Sequence, residues 1–251
     1  VLAHRGGGTL APENTLAGLR AGLEHGFHAV EFDVMLAGDE LPVLAHDERL
    51  GRTVAGDEAV SALPGAVLMS REAGAWHSPR FAGERVPAFE AVLAWCRAHG
   101  VWPNIEIKPA TGHEARTGEL VARATARAYA DRVHRGGDRA DAIVPEVPLF
   151  SSFSKPALMA ARAAAPDVPR GWLIDRVPHD WRERLAELGA VALHTNHRHL
   201  SDALAREIKA AGVWLFCYTV NEPERAREIL AWGVDAFCTD RIDLIGPCFA
   251  H

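Results

Sequence analysis

Short apolar runs alternate with longer stretches of helical periodicity from one end of the chain to the other. The apolar runs, read as strands, are Val1–Ala3, His28–Asp33, Pro103–Ile107, Leu149–Ser152, Arg170–Ile174, Ala190–His194, Val213–Tyr218 and Asp235–Cys238. Amphipathic stretches at Glu13–His25, Phe89–His99, Glu114–Arg132, Lys155–Ala164, Trp181–Leu188, Ala203–Ala211 and Pro223–Trp232 fall between most of them and predict helices. Gly26, Gly100, Gly189, Gly212 and Gly233 each follow such a stretch, where a left-handed residue ends a helix. Strands separated by helices pair in parallel. Eight such units in 251 residues predict an α/β fold, a (β/α)8 TIM barrel, as a single domain over residues 1–251.

Two places break the rhythm. After the second strand, Met35–His46 reads as a hairpin turning at Gly38-Asp39-Glu40, with Leu41–Ala45 as its return strand. From about 47 to 87 follows an irregular insertion rich in Gly, Pro, Ser and Trp, longer than an ordinary strand-to-helix connection and expected to lie over the barrel mouth. His134–Pro148, with Gly136-Gly137, reads as a mobile surface loop.

Composition narrows the classes. With 27 basic and 33 acidic residues the formal charge is −6 and no basic run is present, so no nucleic-acid partner is expected. The four cysteines, Cys96, Cys217, Cys238 and Cys248, form no C-x-x-C and suggest neither a disulfide framework nor a zinc site. No apolar stretch reaches the roughly 18 residues of a membrane span. No signal-like segment precedes the first strand. The expectation is a cytoplasmic protein without stable membrane insertion; its oligomeric state is left open.

Barrels of this kind place their chemistry at the C-terminal strand ends. Those ends carry His4-Arg5-Gly6, Glu31 and Asp33, His46-Asp47 on the hairpin, Glu106 and Lys108, then Ser151, Ser152, Asn196, Thr219 and Asp240. Glu31 and Asp33 are two apart in a strand and leave the same face. With Glu106 on the adjacent strand they suit a hard cation, Mg²⁺, Ca²⁺ or Mn²⁺. Acidic residues facing solvent, or paired with Lys108 and Arg5, fit the spacing equally. His4 and His46 both follow apolar strands and are charged-residue neighbours, a placement suited to general acid–base work. His25, His77, His99, His113, His134, His179 and His197 are expected to be surface or satisfied core residues. Arg5 and Lys108 are candidates for phosphate contacts. Gly6-Gly7-Gly8 lacks the spacing of a dinucleotide fingerprint and is expected to let its loop pass close to a ligand.

Taken together these residues resemble a known family. Ala3-His4-Arg5-Gly6-Gly7 with Ala11-Pro12-Glu13-Asn14-Thr15 is similar to the opening signature of glycerophosphodiester phosphodiesterases. The second motif is resembled by Glu31-Phe32-Asp33-Val34 through Pro42–Asp47 and Leu50-Gly51-Arg52-Thr53, and the third by Asn104–Lys108. Thr219-Val220-Asn221, Gly233-Val234-Asp235 and Thr239-Asp240 resemble the closing pattern. Within the family the likeness is to cytosolic bacterial enzymes that accompany glycerol 3-phosphate uptake. Asp39-Glu40 departs from the Asp-Gly common in the family's hairpin.

The resemblance implies hydrolysis of a small-molecule glycerophosphodiester, such as glycerophosphocholine, to sn-glycerol 3-phosphate and an alcohol. It implies one divalent cation, Mg²⁺ foremost, on Glu31, Asp33 and Glu106. It assigns His4 and His46 as the catalytic pair, and Arg5 and Lys108 as phosphate contacts. His4 is taken to remove the proton of the attacking oxygen and His46 to protonate the leaving alcohol, with the reverse left open. The attacker is water or the glycerol 2-hydroxyl. Substrate breadth is expected from the insertion, where Trp76 and Phe81 are either a wall for the alcohol or anchors of the loop. The rivals are a lysophospholipase D-like lipid enzyme and a binding barrel without catalysis; retention of both histidines and all three carboxylates weighs against the second.

Overall fold

In β2 (Ala29–Leu36), Val30, Phe32 and Val34 are fully buried between sheet and helices, and Glu31 and Asp33 point the other way, into the barrel. That period-two division sets the plan of the molecule. The computed structural model describes residues 1–133, 143 and 146–249. The other parallel strands are β1 (Leu2–Ala3), β4 (Trp102–Ile107), β5 (Leu149–Ser152), β6 (Arg170–Ile174), β7 (Ala192–Asn196), β8 (Trp214–Tyr218) and β9 (Ala236–Thr239). They run β1-β9-β8-β7-β6-β5-β4-β2, and the β1–β2 pair closes the ring into the expected (β/α)8 barrel. Outside the ring, β3 (Pro42–Leu44) pairs antiparallel with β2 as the return arm of the hairpin.

The helices between strands are α1 (Leu16–Glu24), α3 (Phe89–His99), α4 (Glu114–Ala128) with the short α5 (Ala130–Val133), α6 (Lys155–Ala164), α7 (Trp181–Leu188), α8 (Asp202–Ala210) and α9 (Pro223–Ala231). A further helix, α2 (Gly65–Ser70), lies in the insertion. Phe89, Val92, Leu93, Cys96 and Val121 pack on Ile105, Ile107 and Phe150 on one side of the barrel. On the other side, Leu185, Leu188, Ile208 and Ile229 pack on Leu193, Leu215, Cys217 and Phe237. Cys96, Cys217 and Cys238 are buried free thiols and Cys248 is exposed. Among the described residues no helix is long and apolar enough to cross a membrane.

Several boundaries differ from the periodicity. The first helix begins at Leu16 instead of Glu13, because Thr15 caps it by accepting from Gly18 N and Asn14 sits at φ 55, outside helical geometry. The stretch Glu114–Arg132 divides at Tyr129 into α4 and α5. Strand β7 starts two residues late: Gly189, at φ 58, ends α7, and Ala190 and Val191 span the gap. At the hairpin, Glu40 adopts φ 64 where glycine would be unstrained, and its carboxylate is held by Arg116 at 2.6 and 3.0 Å. The insertion is less irregular than expected. It contributes Val54, Val60, Leu68, Ala73 and Val86 to a small apolar cluster completed by Met35, Ala37 and Val43 of the hairpin and by Ala110. Most of the expected loop at His134–Pro148 lies outside the described residues.

Helices α4 and α6 pack in close backbone contact, where a Cβ on Gly118 would lie 2.1 Å from the Ala157 carbonyl oxygen. Gly118→Ala must push the two backbones apart. It is expected to destabilise by about 1–3 kcal/mol, exceeding the roughly 1 kcal/mol gain in helix propensity. A urea titration checks this: an unchanged or higher midpoint would mean that the helices separate without cost.

Candidate active site

The inward residues of β2 and β4 meet at the C-terminal mouth. Asp33 is in register with Glu106, and ligand oxygens of Glu31, Asp33 and Glu106 all lie within 4.8 Å of one another. Glu31 and Asp33 are buried, and Glu106 is nearly so. Burial first, then the charge of Asp33, pushes Glu31 up to about 7 and Glu106 up to about 8. Burial would raise Asp33 as well, but the charges of Lys108, Arg5 and His46 and a hydrogen bond from Asn14 hold it below the usual carboxylate range.

The cations only partly compensate this cluster. Lys108 Nζ lies 3.4 Å from Asp33 Oδ1 and 3.3 Å from Glu106 Oε1. Arg5 Nε lies 3.6 Å from Asp33 Oδ2, while the Arg5 backbone N–H donates to Glu31 Oε2 at 3.1 Å. Glu31 Oε1 is buried with no hydrogen-bond partner. Pairing with Lys108 and Arg5 therefore exists alongside a set of converging hard oxygen donors, one of them orphaned. A divalent cation with oxygen preference fits that donor set.

The two histidines share one design. His4 Nδ1 lies 2.5 Å from Asp240 Oδ1, and Asp240 Oδ2 accepts from Asn221 Nδ2 at 2.9 Å. His46 Nδ1 lies 2.6 Å from Asp47 Oδ1. A carboxylate on Nδ1 fixes the tautomer and leaves Nε2 for chemistry. Nε2 of His4 is 3.7 Å from Glu31 Oε2. Burial works to lower His4, but the hydrogen bond to Asp240 and the charges of Glu31 and Asp240 raise it above an ordinary imidazole. His46 is shifted the opposite way by burial, assisted by Arg5 and Lys108.

All seven expected residues, His4, Arg5, Glu31, Asp33, His46, Glu106 and Lys108, line one cavity of about 250 Å³. Its far wall is apolar and aromatic, from Phe153, Leu173, Phe216 and Tyr218. Phe153 is half exposed and meets Tyr218 edge to face at 5.8 Å. Trp76 and Phe81 instead meet His77 edge to face, at 5.6 and 5.3 Å, within the insertion. His77 itself bonds to the Thr9 carbonyl. The Gly6–Gly8 loop passes close to the residues after β9: a Cβ on Gly8 would lie 2.2 Å from the Asp240 carbonyl oxygen.

Several contributors had no role assigned from the sequence. Asp240, Asn221 and Asp47 orient the imidazoles, and Asn14 clamps Asp33 through Nδ2 at 2.9 Å and Oδ1 at 3.0 Å. His194 lines the cavity as a neutral imidazole, pushed down to about 3 by burial and stacked on Phe216 at 4.6 Å. The first four stood inside recognisable motifs; nothing in local pattern marked His194.

The model of the glycerophosphoryl diester phosphodiesterase family matches residues 4–244 of this chain. A phosphodiesterase of Oleispira antarctica, solved with the product sn-glycerol-3-phosphate, is 34% identical, with a TM-score of 0.84 over 95% of this chain and 92% of that one. A glycerophosphodiester phosphodiesterase of Caldanaerobacter subterraneus is 29% identical over 96% of this chain and 93% of its own. The structure of one from Agrobacterium tumefaciens is 25% identical, with a TM-score of 0.73 over 97% and 96%.

The raised carboxylates make a prediction for the metal-free protein. In the unfolded chain both glutamates ionise near pH 4.3, whereas in the fold they keep protons to about 7 and 8. As pH rises from about 5 to 8 the native state binds more protons than the unfolded state, so stability falls through that window. A divalent cation bound among the three carboxylates would remove the repulsion. Melting temperature in EDTA is expected to decline over this range more steeply than in Glu106→Gln, and added Mn²⁺ to stabilise wild type increasingly with pH. Parallel pH profiles for the two proteins, with no Mn²⁺ effect, would contradict this electrostatic account.

Proposed function

Because the chain belongs to the glycerophosphoryl diester phosphodiesterase family, we propose that it hydrolyses small glycerophosphodiesters, glycerophosphocholine among them, to sn-glycerol 3-phosphate and the free alcohol. The observation that carries this reading is the meeting of two carboxylate-oriented imidazoles, two cations and three converging carboxylates on one cavity. Glu31, Asp33 and Glu106 would hold a divalent cation, with Mg²⁺ the first candidate and Mn²⁺ or Ca²⁺ the others, which would supply positive charge to polarise the phosphoryl group.

The protein's own groups do the rest. Arg5 and Lys108 bind the anionic phosphate oxygens, Arg5 as a planar fork and Lys108 as a point charge. His4 Nε2 takes the proton of the attacking oxygen, whether that oxygen is water or the glycerol 2-hydroxyl. The carboxylate of Asp240 raises the basicity of that imidazole and stabilises its protonated form. A new P–O bond forms as the bond to the alcohol oxygen breaks, and His46 delivers a proton to that oxygen. Where the 2-hydroxyl attacks, the product of this step is the cyclic phosphate, which water then opens to glycerol 3-phosphate with the two imidazoles exchanging roles. His46 suits the donor's place because its side chain is 29% exposed against 16% for His4, so it stands nearer the opening through which the alcohol departs. Phe153 and Tyr218 give the alcohol an aromatic wall.

The test is release of glycerol 3-phosphate from glycerophosphocholine after EDTA treatment and return of Mg²⁺, Mn²⁺ or Ca²⁺. Ion-dependent turnover is expected, and His4→Ala and His46→Ala should each lose about 10²–10⁴ in kcat. With a nitrophenyl leaving group, which needs no proton, the His46→Ala loss should shrink and the His4→Ala loss persist. The inverse pattern would exchange the roles. Turnover of lysophosphatidylcholine but not of the water-soluble diester would make the protein a lipid phosphodiesterase.

A further inference from the structure

Two motif residues have no part in the chemistry assigned so far: Glu13, after β1, and Arg52, at the start of the insertion. They meet behind Arg5 and His46. Arg52 donates through both terminal nitrogens to the Glu13 carboxylate, at 2.6 and 2.7 Å, and through Nε to Asp47 Oδ2 at 2.7 Å. Each of these carboxylates also grips a side chain of the site. Asp47 Oδ1 lies 2.6 Å from His46 Nδ1, and Glu13 Oε1 accepts from Arg5 at 2.7 Å. One continuous chain of charge-assisted hydrogen bonds thus runs His46–Asp47–Arg52–Glu13–Arg5.

We propose that Arg52 is a positioning residue for the hydrolysis: its guanidinium ties the carboxylate that orients His46 to the carboxylate that orients Arg5, fixing the proton donor relative to the phosphate grip. The inference rests on the reading of His46 as the acid given above. The geometry calls for arginine in particular, since three N–H groups in one plane engage two carboxylates in different directions, which an ammonium cannot reproduce. Asp47 stands beyond the end of β3, where no ladder hydrogen bond is available to hold it, so its second oxygen depends on Arg52. The Arg52 side chain is 46% exposed, and ion pairs at that exposure add little to global stability. Its effect should therefore be read in turnover and not in folding.

The test uses the full chain with Mn²⁺ supplied, comparing wild type, Arg52→Ala and Arg52→Lys, each alone and combined with His46→Ala. Both kcat and KM are measured on glycerophosphocholine and on a nitrophenyl diester of glycerol phosphate. Loss of a supporting partner of this kind costs about 10–100-fold in activity. That loss is expected in kcat for Arg52→Ala on glycerophosphocholine, with an unchanged melting temperature and little recovery in Arg52→Lys. The kcat effect should largely vanish in the His46→Ala background and on the nitrophenyl diester, while a rise in KM transmitted through Arg5 persists. Equal kcat losses in both backgrounds and on both substrates would overturn the inference, as would full turnover of Arg52→Ala beside a crippled His46→Ala. Full turnover of His46→Ala itself would overturn the acid assignment, and the inference with it.

Discussion

Three carboxylates inside a barrel mouth, with oxygens within 4.8 Å of one another, repel strongly, and the surrounding structure is arranged around that repulsion. Lys108 comes from the end of β4 and Arg5 from the end of β1, so the compensating charges arrive on two strands flanking β2. They settle Asp33 and leave Glu31 and Glu106 with raised affinity for protons. Lys108 and Arg5 leave the three carboxylates only partly compensated, in the cavity where the proposed anionic diester would bind. On the proposed function, a divalent cation held by the three acids would meet both demands at once.

The backbone bears part of the cost. Arg5 and Asn14 both occupy the left-handed region, at φ 49 and 55, a conformation that disfavours residues bearing a Cβ by about 1–2 kcal/mol each. In each case the geometry serves a carboxylate. Arg5 turns its N–H to Glu31, and Asn14 spans both the side chain and the backbone of Asp33. The same turn at Asn14 delays the start of α1 and frees Glu13 to reach Arg5 and Arg52. Strained loop and acidic cluster are parts of one design.

The barrel was legible because its two periodicities, two in the strands and near 3.6 in the helices, are determined by which face is buried. The direction of Glu31 and Asp33 followed from the same rule, and Glu106 from register with its neighbour strand. The family resemblance supplied the roles of His4, His46, Arg5 and Lys108, which spacing left open. Asp47 and Asp240 stood out at the strand ends, but their contacts with the imidazoles were not legible. Asp240 is 236 residues from His4 in sequence and lies just past β9, where side-chain direction follows loop torsions and no periodicity. His194 escaped notice for another reason: as a lone imidazole in an apolar strand it looks like any satisfied core residue, and only closure of the barrel reveals that it lines the cavity.

The central claim is that Glu31, Asp33 and Glu106 together form a divalent-cation site. Anomalous diffraction from crystals equilibrated with Mn²⁺ tests it most directly. A single strong peak among the three carboxylates, lost in Glu31→Gln crystals, is the predicted result. A cavity without a peak at saturating Mn²⁺, with Lys108 still seated between Asp33 and Glu106, would show that the cluster is neutralised by protein charges alone and would contradict the account.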